Sequence, residues 1–227
     1  MNTPYVDVII AVYNGEKYIK EAIASVQAQS WKEVNIIVAD DGSTDQTLSI
    51  ISDLSRSDKR IKVQSYLHKG VSATLNAALH SSTNPYIAFL DADDLWHKDK
   101  LKEQMDTLMQ SEARICFCLM QEFETFEQEV TRSHSARVEP LKGYSKIAFL
   151  GERSLFSTFG VFNENIAIGD FVEWYSRVVR AEEPIIMLEQ VLAYRRVHQN
   201  NVMLDAPKGA FLKLLKTHLD EKRKSVE

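Results

Sequence analysis

Four short strand-like runs, each ending in a polar cluster, constrain this chain more than any other feature. Val6 to Val12 (VDVIIAV) is rich in β-branched residues and breaks at Asn14-Gly15. Glu16 to Gln29 carries Ile19, Ile23 and Val26 at helical spacing. Val34 to Ala39 is a second strand and runs into Asp40-Asp41-Gly42-Ser43. Ser43 or Thr44 is placed to cap a helix over about Thr47 to Ser55. Ile61 to Tyr66 reads as a third strand, Lys69-Gly70 as a turn, and Ser72 to His80 as a helix with Leu75, Ala78 and Leu79 inward. Tyr86 to Leu90 is a fourth strand, ended by Asp91 to Asp94. This alternation predicts an α/β fold with a largely parallel sheet covered on both faces. Such folds bind ligands beyond the carboxyl ends of their strands. Tyr13-Asn14, Asp40-Asp41 and Asp91 to Asp94 therefore share one rim.

Beyond residue 95 the pattern changes. Lys98 to Met109 reads as a helix, and Arg114 to Met120 and Glu122 to Glu129 as two strands, the second at an exposed edge. The stretch from Thr131 to Lys142 has no periodicity and reads as a loop, and Tyr144 to Leu150 is short and mixed. Asp170 to Ala181 is an amphipathic helix, followed by strands at Ile185 to Leu188 and Leu192 to Arg196. Lys208 to Lys224 is a basic amphipathic helix with Phe211, Leu212, Leu215 and Leu219 on one stripe. With 227 residues, one domain over 1–204 with halves 1–101 and 102–204, plus a helix in 205–227, suits the length.

A formal charge of −5 disfavours a nucleic-acid binder, which needs a basic surface to neutralise phosphates. Cys116 and Cys118 lie on one face of a strand and have no partner cluster, so they read as buried thiols rather than zinc ligands. The start of the chain has no basic and apolar leader pattern, and no run approaches about 18 apolar residues. The expected location is cytoplasmic, or peripheral at the inner face of the cell membrane.

The acid clusters leave two readings open. Asp91 and Asp93, two apart in DADD, can both reach one hard cation that keeps positions for phosphate oxygens. Alternatively DADD is a solvated loop, with Asp94 capping the helix that follows Trp96. In the Asp40-Asp41 pair, one acid can accept a hydrogen bond from a base N–H such as uracil N3–H while the other holds the loop; an Asx turn also explains it. Lys69, Arg132, Arg137, Lys142 and Arg153 are candidates for a diphosphate, and spacing does not choose among them. Asp170 is either an N-cap or a general base. His198 is a loop residue or a metal or phosphate contact. The helix in 208–227, with six basic residues against three acidic, packs on the domain or touches an anionic membrane.

Taken together, VDVIIAVYNGEKYIKEAIASVQAQSW, VNIIVADDGSTDQT, KGVSATLNAAL and YIAFLDADDLWHKDKL resemble the inverting, GT-A-fold glycosyltransferases of family 2, in order and spacing, over about residues 5–101. A weaker match runs through GVFNENIAIGDFVEWYSRVV and LAYRRVHQNN to about 202. The resemblance implies a nucleotide pocket at Ala11, Tyr13 and Asn14 with Glu16 near, base recognition by Asp41 beside Asp40, and donor contacts around Lys69, Gly70 and Asn76. It implies Asp93 as direct ligand of Mn²⁺ or Mg²⁺, Asp91 as a ribose or metal contact, and Asp94 in support. It makes Asp170 the candidate base, places Trp174 and Arg177 near the acceptor, and likens His198 to a histidine that some relatives bring to the metal or diphosphate. Gly169 stands where the family usually has an acid, and Leu75 where many relatives have arginine. The QxxRW pattern of processive synthases is absent, which implies addition of a single sugar. The donor implied is a nucleotide-diphosphate sugar, most simply a UDP-sugar, with GDP and dTDP sugars open. The acceptor is a saccharide, lipid-linked, peptide or small-molecule hydroxyl. The alternatives are a nucleotidyltransferase and a non-catalytic nucleotide-sugar or glycan-binding relative.

Overall fold

The computed structural model describes residues 3–124, 136, 137, 139–142, 144–166 and 168–198. The helix expected at 208–224, Asn200, Asn201, Arg132 and the strand portion at 125–129 lie outside the described residues. In chain order the elements are β1 (Val6–Val12), α1 (Ile19–Gln27), β2 (Val34–Asp40), α2 (Thr47–Ser57), β3 (Ile61–Ser65), α3 (Val71–Ser81), β4 (Tyr86–Phe89), β5 (Leu95–Trp96), α4 (Lys100–Met109), β6 (Ile115–Glu124), β7 (Leu150–Glu152), α5 (Ser154–Thr158), α6 (Asp170–Arg180) and β8 (Ile185–Val197). A 3-10 turn covers Lys146–Ala148.

The eight strands form one sheet in the order β3-β2-β1-β4-β7-β6-β8-β5. β3, β2, β1 and β4 are parallel, in keeping with the first half of the sequence. The second half makes the sheet mixed. There β7 runs antiparallel to β4 and β6, and β5 antiparallel to β8, while β6 and β8 are parallel. Val8, Ile9, Ile10, Ile36 and Val38 are completely buried, as strands covered on both faces must be. Each such side chain contributes about 1.5–3 kcal/mol by leaving water.

The sheet curls, and the curl makes the site. β4 and β5 are four strands apart in the sheet, about 19 Å if it were flat. Only five residues separate Phe89 from Leu95, and they include a turn in which the Asp94 amide donates to the Asp91 carbonyl at 3.1 Å. A turned segment of that length cannot span a flat sheet. The far ends of β6 and β8 instead bend back over the carboxyl end of β4. A register shift between Cys118 and Met120 marks the bend.

That bend also explains two misread boundaries. Glu189 and Gln190 interrupt the apolar pattern and suggest two strands, but they are exposed residues of the bulged region within one β8. Arg114 to Met120 and Glu122 to Glu124 likewise form one β6. Its distal residues look polar because β7 covers only Ile115 and Cys116. α1 begins at Ile19 rather than Glu16, because Asn14 has a positive φ of 51° and the chain turns through Gly15 to Tyr18. Neither Ser43 nor Thr44 caps α2; both contact Asn14, and the Thr47 amide bonds to Asp45 instead.

Cys116 and Cys118 are fully buried under α4 and the 146–149 turn. Burial pushes the Cys116 thiol up to about 12, so it holds its proton at any ordinary pH. The expected result with a thiol-specific disulfide reagent is no reaction in the folded protein at pH 8 and two thiols per chain in denaturant. Rapid native labelling would show that the strand face is open.

Candidate functional site

Three loops at the carboxyl ends of β1, β2 and β4 lie on one rim, and side-chain hydrogen bonds join the first two. Ala11 lies half-buried in β1 beside Ala39. Asn14 accepts from the Thr44 amide at 2.8 Å, and its own amide donates to Ser43 Oγ at 2.9 Å. Glu16 accepts from the Gln46 amide at 2.8 Å. These contacts tie the β1 loop to the β2 loop and leave Tyr13 47% exposed on the rim.

The two acids after β2 have different work. Asp40 is buried and accepts from the Ser43 amide and Ser65 hydroxyl, so it holds the turn. Gly42 is needed there: its φ is +76°, and a Cβ would come within about 3 Å of the backbone of His68 and Tyr66. Asp41 is also buried, and its oxygens accept from the Lys69 amide at 2.9 Å, the Gly70 amide at 3.0 Å and the Thr74 hydroxyl at 2.8 Å. His68 Nδ1 completes this shell, 2.8 Å from Asp41 Oδ2. Lys69 enters through its backbone, with its ammonium in solvent. Asn76 is buried, and its amide is used on Phe162 and Glu164, so it fastens α3 to the 162–164 segment.

The third loop carries the strongest electrostatic signal. Asp94 does not cap α4; its carboxylate is buried and accepts from the Arg196 amide at 2.8 Å. Burial, and then Asp93 and Asp91, hold the Asp94 carboxyl well above the usual carboxylate range. Asp91 is also raised, by its removal from bulk water and by Asp93 and Asp170, against the pull of Lys146. Arg196 steadies the loop from β8: its Nε donates to the Asp93 carbonyl at 2.8 Å, one terminal nitrogen reaches Glu21, and its plane lies over Tyr18 and Phe123. Asp93 itself points at His198, with Oδ2 and Nε2 2.9 Å apart.

Lys146 is the residue that sequence reasoning missed. Its Nζ lies 3.5 Å from Asp91 Oδ1 and 3.8 Å from Asp170 Oδ2, with the side chain 14% exposed. Burial disfavours the ammonium, but the two acids outweigh it and raise its pKa. Its position is built from α4 and the strand before it. Trp96 Nε1 donates to the Ile147 carbonyl and Gln104 Nε2 to the Ala148 carbonyl. Among the candidate cations, Arg153 lies beside Pro85 at the opposite end of β4, and Lys142 pairs with Glu189.

Asp170 is the first residue of α6, after Gly169 in the left-handed region. Its Oδ1 accepts from the Phe171 amide at 2.8 Å, and Ser72 Oγ lies 3.4 Å from Oδ2. It is buried but faces Asp91 through Lys146, so the structure joins the two halves of the sequence at this point. Trp174 does not line an acceptor surface: it is fully buried, stacks on Phe156 and donates to the Gly160 carbonyl. Arg177 is bound to the carbonyls of Phe159 and Val161.

The donor set bears on which cation would fit. Among the described residues no three His, Cys, Asp or Glu side chains form a closed metal cage. Asp93 and His198 offer one oxygen and one nitrogen at the same spot, with Asp91 two residues away and excess negative charge around them. Such a set suits Mn²⁺ or Mg²⁺ with the remaining positions filled by phosphate oxygens and water.

Comparison with known proteins agrees with this architecture. The family model described as Glycosyl transferase family 2 matches residues 7–167. An uncharacterized glycosyltransferase of Rickettsia prowazekii is 30% identical over 219 residues, 86% of this chain and 65% of the relative. The putative teichuronic acid biosynthesis glycosyltransferase TuaG of Bacillus subtilis is 39% identical over 116 residues, 50% of this chain and 46% of TuaG. The chain thus spans less than two thirds of the length of these relatives. Among solved structures, S. aureus TarS 1-349 in complex with UDP-GlcNAc superposes with a TM-score of 0.72 at 22% identity, covering 89% of this chain and 61% of that one. The mannosyltransferase PcManGT from Pyrobaculum calidifontis, in complex with GDP-Man and Mn²⁺, gives 0.75 at 17% identity, covering 98% and 65%. The curled mixed sheet with flanking helices is the GT-A fold. The chain belongs to glycosyl transferase family 2.

Proposed function

We propose that the chain transfers one sugar from a nucleotide-diphosphate sugar, most simply a UDP-sugar, to an acceptor hydroxyl with inversion at the anomeric carbon. The observation that carries this reading is the convergence of Asp91, Lys146 and Asp170 within salt-bridge distance in a cleft beside Asp93 and His198. It puts donor-side acids and a buried carboxylate on opposite sides of one lysine. Tyr13 offers a face for the base, and Asp41 an acceptor for a base N–H. Asp93, His198 and Asp91 would hold Mn²⁺ or Mg²⁺, which when bound supplies charge neutralisation for the departing diphosphate. Lys146 balances Asp91 and Asp170, so that the half-exposed Asp91 carboxylate and the buried Asp170 carboxylate stay near each other. Asp170 accepts the proton of the acceptor hydroxyl at a carboxylate oxygen as that hydroxyl attacks the face opposite the leaving group. One displacement inverts the configuration.

TarS and PcManGT, whose structures hold UDP-GlcNAc and GDP-Man, support a nucleotide-sugar donor here. TuaG, a putative teichuronic acid biosynthesis glycosyltransferase, supports an acceptor of the polysaccharide or glycoconjugate kind. No helix among the described residues is long and apolar enough to cross a membrane; residues 208–227 are the segment proposed to touch the membrane if the acceptor is lipid-linked. The test is the anomeric configuration of the first product, read by proton NMR after incubation with a UDP-sugar, Mn²⁺ and saccharide acceptors. An α-linked donor should give a β-linked product. Retention would sink the single-displacement reading and with it the role of Asp170.

A further inference from the structure

His68 has no part in the proposed chemistry, yet it makes two contacts of an unusual pair in the rim. Its ring stacks on Tyr13, with centroids 4.1 Å apart and planes 26° from parallel. Its Nδ1 lies 2.8 Å from Asp41 Oδ2 and 3.1 Å from the Asp41 carbonyl oxygen. Both of those oxygens only accept, so Nδ1 carries the hydrogen and donates. A flat heteroaromatic ring therefore lies on Tyr13 and gives a ring N–H to Asp41. A uracil, thymine or guanine base would make the same two contacts through its own face and its own ring N–H.

Asp41 cannot serve both rings at once. A carboxylate has about four acceptor positions, and here Lys69 N, Gly70 N, Thr74 Oγ1 and His68 Nδ1 fill them. Three of these donors are held by the β3–α3 connection and by α3. His68 is the replaceable one: its side chain is 56% exposed, while that of Asp41 is 4% exposed. Its neighbour Leu67 is 83% exposed, so among the described residues little packs over this side of the loop. Tyr13 is 47% exposed, and a ring stacked on the face that His68 covers also reaches Asp41.

We propose that His68 stands in the place of the nucleobase, and that the donor binds by displacing its imidazole from Tyr13 and Asp41. This rests on the reading of the rim as a nucleotide-sugar site and deepens it. The displaced ring makes His68 a competitor that every incoming base must outdo. A base that lacks a ring N–H at the pairing edge, adenine or cytosine, gains the stack but leaves Asp41 one donor short, so it loses to the histidine. A base with that N–H replaces both contacts. The occupied state also lowers apparent donor affinity by the fraction of molecules in which the ring has already swung away.

The experiment is calorimetric titration of the full chain with UDP, CDP and pyrophosphate in Mn²⁺, for the parent, His68→Ala and Tyr13→Ala. Because His68 is exposed on a loop, the variant should fold; its far-UV spectrum and melting curve check this. The expected result is UDP binding tighter by about three- to ten-fold in His68→Ala, with pyrophosphate binding unchanged, CDP gaining by no more than that factor, and UDP binding weakened in Tyr13→Ala. In parallel, the His68 ring protons, shifted by the Tyr13 ring in the free protein, should move toward free-histidine values on UDP addition. Parent-like or weaker UDP binding by His68→Ala, or ring protons that stay in place, would overturn the displacement while leaving the transferase reading intact. Absence of any nucleotide binding by the parent would overturn both.

Discussion

Asp170→Asn should lower turnover by about 10²–10⁴-fold and leave donor affinity within about twofold. The amide is close in shape to the carboxylate and keeps the contacts to the Phe171 amide and Ser72 hydroxyl. What it cannot do is take a proton. The loss therefore belongs to the chemical step, and the measurement is nucleoside diphosphate release with a responsive acceptor, beside a donor titration. Parent-like turnover would mean that another group removes the proton, or that water does. A parallel fall in donor affinity would mean that the lost charge, through Lys146 and Asp91, disturbs the donor side of the cleft. The two outcomes are separated by reading rate and affinity on the same preparation.

Asp93→Asn should remove the metal-dependent part of donor binding. The variant keeps a side chain that can face His198, but it offers a neutral oxygen to the cation and deletes one of three crowded charges. Burial and Asp93 together raise Asp94, so the variant should also ease the strain of that cluster and leave the fold as stable as the parent or more so. The expected pattern is weak donor binding that is the same with and without Mn²⁺, with an unchanged or raised melting temperature. Donor binding that still rises with Mn²⁺ would assign the cation to other ligands.

Much of the first half of the chain was legible because each signal was local. The runs VDVIIAV, VNIIVAD and YIAFL are buried on both faces, and their polar ends mark the carboxyl rim of parallel strands. Spacing alone put Tyr13, Asp41 and Asp91 on one edge. What each acid does there was not legible. Asp40 and Asp41 are adjacent in sequence, yet Asp40 closes its own turn while Asp41 organises a segment about thirty residues on.

The second half was read less well for a physical reason. Its contacts are long-range and its strands bend. Glu189-Gln190 looks like a break until the bulge opposite Cys118 and Leu119 is known. Lys146 sits in a stretch with no periodicity, held by Trp96 and Gln104 some fifty and forty residues away. A lysine among mixed residues has no signature; only the fold places it between two acids. Trp174 shows the opposite error. An aromatic beside a candidate base suggests a binding wall, but the helical stripe Phe171, Trp174 and Val178 faces the core.

The measurement that tests the central claim most directly is isothermal titration of the chain with a panel of UDP-, GDP- and dTDP-sugars, with and without Mn²⁺, beside Asp93→Asn. The account predicts that one nucleotide class binds, that Mn²⁺ tightens it, and that the variant loses the tightening. If no nucleotide sugar binds under either condition, the cleft formed by Tyr13, Asp41, Asp91, Asp93 and Lys146 is not a donor site.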